Sequence, residues 1–324
     1  MLDVSAIVVT HNSESEIGEC LDALRGCGQV LVVDNASSDA SAALAARRLW
    51  VEVMANPDNR GFATAVNQAA RSALGRYLLL LNPDAVLTTG CEGLMTACEE
   101  SGIAAGCLTD SAGMAQTGFA VRRLPTPAML AFECLGINRV WPTNPVNVRY
   151  RCLDLDLSRP GPVEQPAGAF LMIRRDVFEE LNGFDEGFWP VWFEDVDFCR
   201  RALDRGYGIE YRPDARARHF GGHSVRNIEP KYQCLYWYGS LLRYAGKHYR
   251  PLAFRMICCS VVLGSLLRLL AGMLRPGGGP QGDYKKVLCL AVASLLAGKV
   301  VYPAAADNWE DGRRHLESHP VDGR

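Results

Sequence analysis

Three acids in four positions, Glu194, Asp195 and Asp197, follow directly on the aromatic run Phe188-Trp189-Pro190-Val191-Trp192-Phe193. Carboxylates beside that much apolar surface are costly unless they are paired or used. On a helix Glu194 and Asp197 share a face while Asp195 points elsewhere. Asp197 then has Arg200 or Arg201 for a surface ion pair. Asp195, at a helix start behind Trp and Phe, has surroundings that raise carboxylate basicity, which makes it the candidate general base; a capping aspartate is the alternative. A second carboxylate, Asp84, stands where the apolar run Leu78-Leu79-Leu80-Leu81 stops on Asn82-Pro83, and a third, Asp34, ends the run from Gln29 to Val33. His219 and His223, in the glycine-bearing segment 217–224, have the donor type to complete a metal site with a distant aspartate.

The elements that must position these groups alternate. Val4 to Thr10 is β-branched and apolar, His11-Asn12-Ser13 breaks it, and Glu14 to Leu24 has helical spacing. Gln29 to Val33 is a second strand, with Ser38 or Asp39 as the cap of an alanine-rich helix from Ala40 to Leu49. Val51 to Met54 is a third strand, Ala63 to Leu74 a helix, and Tyr77 to Leu81 a strand buried on both faces. Strand alternating with helix means a parallel sheet with right-handed crossovers, whose polar strand ends gather along one edge. Ligands bind beyond that edge, which places Asp84 at its mouth. Asp34 there can accept the N3–H of a uracil or thymine ring, a turn or cap carboxylate being the other reading.

Further on, Leu124 to Pro166 is rich in proline and lacks periodicity, which reads as an irregular insertion over the sheet. Regularity returns at Gly168 to Ile173, a strand opening on two small residues that let a ligand approach the backbone, and Arg175 to Leu181 is a helical turn ended by Asn182-Gly183. Ile209 to Tyr211 is a short strand. In the tail, Phe254 to Leu274 and Val287 to Val301 are apolar, joined across Gly277-Gly278-Gly279. The longest uncharged run of the first, Met256 to Leu267, is shorter than the roughly 20 residues a span needs. Basic residues Lys247, Arg250, Arg255, Arg268, Arg275, Lys285 and Lys286 punctuate both stretches. That pattern suits a helical hairpin lying in the interface of an anionic membrane; core helices or the contact of a homo-oligomer are the alternative.

The 48% hydrophobic and 22% charged fractions are those of a folded chain, and a net charge of −2 argues against a general nucleic-acid binder. Twelve cysteines without a CxxC pair read as reduced thiols of the cytosol. Met1 to Val4 carries no basic region or cleavage site, so no signal peptide is expected. The missing GxGxxG and GxxxxGK[ST] fingerprints argue against dinucleotide oxidoreductases and P-loop NTPases.

Taken together and in this order, several motifs resemble the inverting family 2 glycosyltransferases of GT-A fold, and within them the bacterial rhamnosyltransferase-like branch. They are Thr10-His11-Asn12, Val33 to Asp39, Asn59-Arg60-Gly61-Phe62-Ala63 with Asn67, Leu81 to Asp84, Gly168-Ala169-Phe170, Trp192 to Asp197, and His219 with Gly222 and Ser224. The resemblance covers residues 4 to 225. It implies an α/β fold of GT-A type, a Rossmann-like mostly parallel sheet flanked by helices, over 1–250, with a nucleotide-sugar half at 1–106 and an acceptor half at 107–250. A C-terminal helical, membrane-associating extension at 251–324 follows. Asp34 resembles the residue that reads the nucleobase, with Thr10 and Asn12 lining its pocket. Asp84 matches the second carboxylate of the DxD motif that binds Mg²⁺ or Mn²⁺ on the donor diphosphate, Asn82 replaces the first, and His219 supplements that contact. His11 sits where an aromatic residue is more usual. Asp195 matches the base. Asn35, Asn59, Gly61, Phe62, Asn67, Asn82, Gly168, Ala169, Trp192 and Glu194 are implied substrate contacts. The implied activity is hexosyl transfer, best matched to L-rhamnose from dTDP-rhamnose or to a UDP-sugar, onto a lipid-linked or polysaccharide acceptor at the cytoplasmic face of the membrane. A nucleotide-sugar-binding scaffold without catalysis is the rival reading, against which the combined presence of Asp84, Asp195 and His219 counts.

Overall fold

The computed structural model describes residues 2–221, 228–274 and 283–302. They divide into two units. The first contains Met1–Leu124, Arg149–Asp185 and Glu194–Asn227, the second Pro125–Val148, Glu186–Phe193 and Ile228–Arg324. The composition boundary at 250 falls inside the second unit.

In the first unit the β-branched and leucine-rich runs become strands because each can be covered on both faces. β1 (Leu2–Thr10), β2 (Cys27–Asn35), β3 (Val51–Asn56) and β4 (Tyr77–Leu81) pair in parallel in the order β3-β2-β1-β4, linked by α1 (Ile17–Asp22), α2 (Ser41–Ala46) and α3 (Phe62–Ser72). Every residue of β4 is buried, Leu79 and Leu81 in the core layer on one side of the sheet and Leu78 and Leu80 in the layer on the other. At about 1.5–3 kcal/mol for each fully buried leucine, this strand is a main anchor of the fold. Neither expected residue is the cap of α2: Ala40 holds that position without a side-chain bond, and Asp39, just before it, accepts the Ser41 N–H at 3.0 Å.

The other half of the sheet is mixed. It comprises β5 (Ala85–Leu87), β6 (Gly102–Thr109) after α4 (Glu92–Ser101), β10 (Phe170–Arg174) and β11 (Gly208–His219), with the two-residue β8 (Gly161–Pro162) paired to β11, while β7 (Val121–Arg122) and β9 (Gln165–Pro166) pair with each other as a separate two-stranded sheet. β10 lies antiparallel between β4 and β6, with Phe170 opposite Leu81. The start of β10 therefore shares an edge with the end of β4, so Gly168-Ala169 and Asn82-Pro83-Asp84 become neighbours. β11 is far longer than the expected Ile209 to Tyr211; it runs parallel to β6 through an irregularity between Arg212 and Arg216, where Pro213 cannot donate to the ladder. α8 (Arg175–Glu180) ends at Asn182 and Gly183, both in the left-handed region as the sequence leads one to expect.

The stretch from Leu124 to Pro166 is not irregular. It holds α5 (Pro127–Leu135), α6 (Ile137–Val140) and α7 (Pro145–Tyr150), as well as β8 and β9. Pro127 and Pro145 stand at helix starts, where a missing N–H costs nothing, and Thr126 caps α5 by accepting the Met129 N–H. α5 carries a single charged residue, Glu133, among apolar ones, so it has little period to read.

The second unit also contains α10 (Pro230–His248), α11 (Pro251–Met273) and α12 (Tyr284–Ala297), with α9 (Glu194–Asp204) belonging to the first. α11 packs on both α12 and α5. It corrects the expectation drawn from run length: its 23 residues form one continuous helix, of mean hydropathy 2.0 in its most apolar window, long and apolar enough to cross a membrane. The charge that interrupts the run is turned inward. Arg268 Nη1 donates to the carbonyls of Cys134 at 2.6 Å and Gly264 at 2.9 Å, and its guanidinium lies 5.6 Å over the Tyr284 ring. Gly264 is what lets α5 approach, since a Cβ there would stand 2.1 Å from the Cys134 oxygen.

Candidate active site

The strand register collects the polar ends of β1, β2 and β3. Thr10 is opposite Asp34, and Asn35 is opposite Asn56. Thr10 is fully buried, and its hydroxyl has no hydrogen-bond partner among the described residues. Burying a hydroxyl without a partner is costly, which sets this atom apart among the polar strand ends. Asp34 is also buried; the turn reading holds in part, because it accepts the Ser37 N–H at 3.0 Å and the Ser37 hydroxyl at 2.5 Å. Asn12 Oδ1 accepts the Ser38 N–H at 2.7 Å, Asn35 Nδ2 donates to the Gly61 carbonyl at 3.1 Å, and Asn59 Oδ1 accepts the Gly61 N–H at 3.0 Å. These side chains hold the three loops against one another. Asn56, which sequence reasoning missed, joins them by donating to Asn35 Oδ1 at 2.9 Å. His11 Nδ1 is 2.8 Å from the Asn35 carbonyl. Phe62 packs on Phe184 with ring centroids 6.3 Å apart, and Asn67 ties α3 to residue 184 through a two-way bond with the Phe184 backbone at 2.9 Å each way, so both contacts shape the scaffold.

A second corner forms where β11 pairs with β5, which sets His219 opposite Ala85. His219 Nε2 is 3.4 Å from Asp84 Oδ1, and both side chains are buried. Gln116 holds the ring from behind: its amide lies 3.0 Å from Nδ1 and also donates to the His219 carbonyl at 2.8 Å, while Phe119 stacks on the imidazole with centroids 5.4 Å apart. With Nδ1–H given to the Gln116 oxygen, Nε2 presents its lone pair toward the carboxylate side. A carboxylate and an imidazole so arranged fit a shared divalent cation, and no group of three His, Cys, Asp or Glu suited to a metal occurs among the described residues. Remaining ligands would have to come from a substrate or water. Neither Gln116 nor Phe119 carries a motif, and they enter the site only because the loop between β6 and β7 folds back. His223, Gly222 and Ser224 lie outside the described residues.

The third corner is the start of α9. Asp195 Oδ2 accepts the Gly168 N–H at 3.0 Å and Oδ1 the Val196 N–H at 2.8 Å. Some of its surface reaches solvent, yet protein atoms crowd it, and burial pushes its carboxyl above the ordinary carboxylate range; the two N–H donors and Arg122 oppose that rise. Gly168 is small for this reason, because a Cβ there would stand 3.3 Å from Asp195 Cβ. Asp197 departs from the surface ion pair expected of it. It is fully buried, bonded to Arg201 at 2.7 Å, and Arg201 also donates to the carbonyls of Leu181 and Gly183 at 2.6 and 2.8 Å. Breaking such a buried pair typically costs about 3–5 kcal/mol, which marks it as a structural clamp. Glu194 is buried beside it in sequence, and Trp192 and Phe193, immediately before, both take positive φ values of 83° and 70°. Bulky residues rarely hold that conformation without a use for it. Trp192 belongs to the second unit.

One backbone bond links the second and third corners. The Asn82 N–H donates to the Ala169 carbonyl at 3.0 Å, next to the Gly168 that holds Asp195. Asp84, Asn82, Ala169, Gly168 and Asp195 thus form one short chain of contacts at the sheet edge.

Residues 5–181, more than half of the chain, match the model of glycosyl transferase family 2. The chain belongs to that family. Residues 154–223 also match the N-terminal domain of galactosyltransferase. Curated relatives include a low-salt glycan biosynthesis hexosyltransferase of Haloferax volcanii, 25% identical over 64% of this chain and 64% of that protein, so the match spans less than two thirds of its length. An N-acetylglucosaminyl-diphospho-decaprenol L-rhamnosyltransferase of Mycobacterium tuberculosis is 27% identical over 60% of this chain and 67% of the relative. The rhamnosyltransferase WbbL of Escherichia coli is 24% identical over 70% and 87%. Among solved structures, GalNAc-T7 with UDP, GalNAc and Mn²⁺ superposes with a TM-score of 0.53 at 16% identity, covering 76% of this chain and 48% of that one. Staphylococcus aureus TarS with UDP-GlcNAc gives 0.50 at 16%, covering 92% and 82%. Both likenesses speak to the fold, which is of GT-A type.

Proposed function

We propose that this family 2 member is a metal-assisted, inverting hexosyltransferase that moves a sugar, L-rhamnose from dTDP-rhamnose by best match, onto a lipid-linked or polysaccharide acceptor of the cell envelope. The observation that carries the reading is the contact chain from Asp84 to Asp195, which joins a cation-type donor pair to a desolvated carboxylate. The rhamnosyltransferases of Mycobacterium and Escherichia support the sugar, and the diphospho-decaprenol acceptor of the first supports the acceptor class.

Each corner then has a task. The orphaned Thr10 hydroxyl and Asp34 face the base of the donor nucleotide. Asp84 and His219 would hold a divalent cation, which supplies neutralisation of the diphosphate leaving group when bound. The nitrogen in that donor set favours Mn²⁺ over the oxygen-seeking Mg²⁺. Asp195 takes the proton of the acceptor hydroxyl as it attacks, its raised basicity suiting the work. Gly168 and Val196 aim the carboxylate. One carboxylate base and one displacement invert the anomeric centre, so no covalent nucleophile is needed. A panel of dTDP- and UDP-sugars, given with Mn²⁺ or Mg²⁺ and a polyprenyl-diphosphate sugar acceptor, tests the proposal. Transfer from at least one donor is expected; a chain that neither transfers nor hydrolyses any of them would favour the scaffold reading.

The second unit supports a place on the cytoplasmic membrane face. With Arg268 turned inward, α11 leaves Leu252, Met256, Leu263, Leu267, Leu270 and Leu274 exposed along one length of helix. Lys247, Arg250, Lys285, Lys286 and Lys299 flank the two apolar helices along the chain, and Asp283 is the sole acid between 247 and 302. Apolar area with cationic flanks suits anionic lipid. The double variant Leu263→Asp/Leu270→Asp is expected to lose most co-sedimentation with phosphatidylglycerol vesicles while donor binding persists. Undiminished sedimentation would remove α11 from the membrane account.

A further inference from the structure

We propose that Arg122 is a positioning residue for the base: its unneutralised guanidinium keeps Asp195 ionised and thereby sets the acid limit of turnover. The inference rests on Asp195 being the base and adds a residue that no sequence motif marks. Arg122 lies on β7, opposite Gln165 of β9. Three residues beyond Gln165, the Gly168 N–H reaches Asp195, and α9 packs on β9. The Ala167 N–H, bonded to the Ala120 carbonyl at 3.0 Å, fastens the same stretch to the segment that carries Arg122. Arg122 and Asp195 therefore flank one short piece of backbone.

The state of the guanidinium matters more than its place. Arg122 is half-buried; its Nε donates to the Gly118 carbonyl at 3.0 Å and its plane lies 5.9 Å over the Tyr150 ring. It forms no ion pair among the described residues, whereas the adjacent Arg123 is neutralised by Glu164 at 2.8 Å. The charge is left to act on Asp195, where it favours the ionised form. The Gly168 and Val196 N–H donors favour ionisation more strongly and Arg122 adds to them; no other charged side chain takes its place. Cys199, one turn along α9, is a buried thiol pushed far above its ordinary range and stays neutral. Asp197 is spent on Arg201, β9 carries no titratable side chain, and Glu194 on the same helix has the sign that would oppose ionisation. Burial favours the protonated form of Asp195. A base must be ionised to accept a proton, and the nearby cation supplies that condition without itself touching the reacting atoms.

The test is a set of pH–rate profiles between pH 5.5 and 8.5 for the full chain, with dTDP-rhamnose and Mn²⁺, or whichever donor the panel finds active. Arg122→Met keeps an unbranched apolar side chain and removes the charge. Its turnover is expected to fall about tenfold or more relative to the parent at pH 5.5 and to lie within about twofold at pH 8.5, as one pH unit on a titrating limb is a factor of ten. Arg122→Lys is expected to keep the parental acid limb. If Arg122→Met fails to fold, Arg122→Lys and Arg122→Gln carry the same comparison. Loss by one factor at every pH, or an acid limb that moves equally in Arg122→Lys, would overturn the proposal. Asp195→Asn separates the two layers: its inactivity together with a pH-independent Arg122→Met defeats only the role of Arg122, while an active Asp195→Asn defeats the base itself.

Discussion

Asp195→Asn is expected to lower turnover about a thousandfold while the affinity for the donor nucleotide stays within a factor of about two, general-base removal commonly costing 10²–10⁴. The reasoning is steric as well as chemical. An amide is nearly isosteric with the carboxylate, and its oxygen can still accept the Gly168 N–H that the carboxylate holds at 3.0 Å, although its NH₂ cannot accept the Val196 N–H. It also cannot take a proton. Stability moves the other way, and the sign follows from the raised carboxyl. A carboxyl whose affinity for protons is higher folded than unfolded contributes stability below its unfolded value and loses it as pH rises through the folded one. At neutral pH the ionised group therefore costs stability, so the variant should melt higher than the parent near pH 7 and the advantage should vanish near pH 3, where both side chains are neutral. Calorimetry at the two pH values, beside turnover and donor titration, checks both halves. A variant that turns over at the parental rate would end the base assignment.

Asp84→Asn is the second large effect. The Asp84 backbone stays in place, since its carbonyl accepts the Phe220 N–H at 3.1 Å and that bond does not involve the side chain. The charge facing His219 disappears. With Asn82 already in place of a second acid, the corner would keep no carboxylate. Turnover is expected to fall about a hundredfold or more, in the range seen when one preorganised electrostatic group is removed from a developing charge. Donor affinity should also lose its response to Mn²⁺. Titrating UDP and dTDP with and without Mn²⁺ reads this directly: a Mn²⁺ response as large in Asp84→Asn as in the parent would move the cation elsewhere.

The first half of the sheet was legible because its signals are local. β1, β2 and β4 are long apolar runs that end on polar residues, and the register turns those ends into one edge. Direction was not legible for β10, since five apolar residues look the same in either orientation, and it is the antiparallel insertion of β10 that brings Gly168 to Asp84. The helices α5 and α7 were hidden by prolines that begin helices as readily as they break them, and in α5 by apolar residues with a single charge, Glu133, among them. Asp197 looked like a surface pair from its spacing to Arg201, but it is fully buried, and Arg201 is held by the carbonyls of Leu181 and Gly183, 20 and 18 residues before it in the chain. Likewise Arg268 appeared to interrupt an apolar segment, and only the carbonyl of Cys134 shows that it points inward. At the candidate site, Asp34 and His219 lie at strand ends, Asp84 follows β4 and Asp195 opens α9, so residue type and place in the pattern were enough to single them out. Gln116 and Asn56 touch His219 and Asn35 through side-chain amides, and Arg122 sits on a two-residue strand; none of these carries a signature in residue type.

The central claim is a single displacement driven by Asp195 at a site that neutralises the diphosphate. The anomeric configuration of the transferred sugar tests it most directly, read by proton NMR of the product formed from the active donor. The account predicts a product of opposite anomeric configuration to the donor, in the parent chain and in the residual activity of Asp84→Asn alike. A product that retains the donor configuration would require a second nucleophile or a front-face path, and would contradict the account.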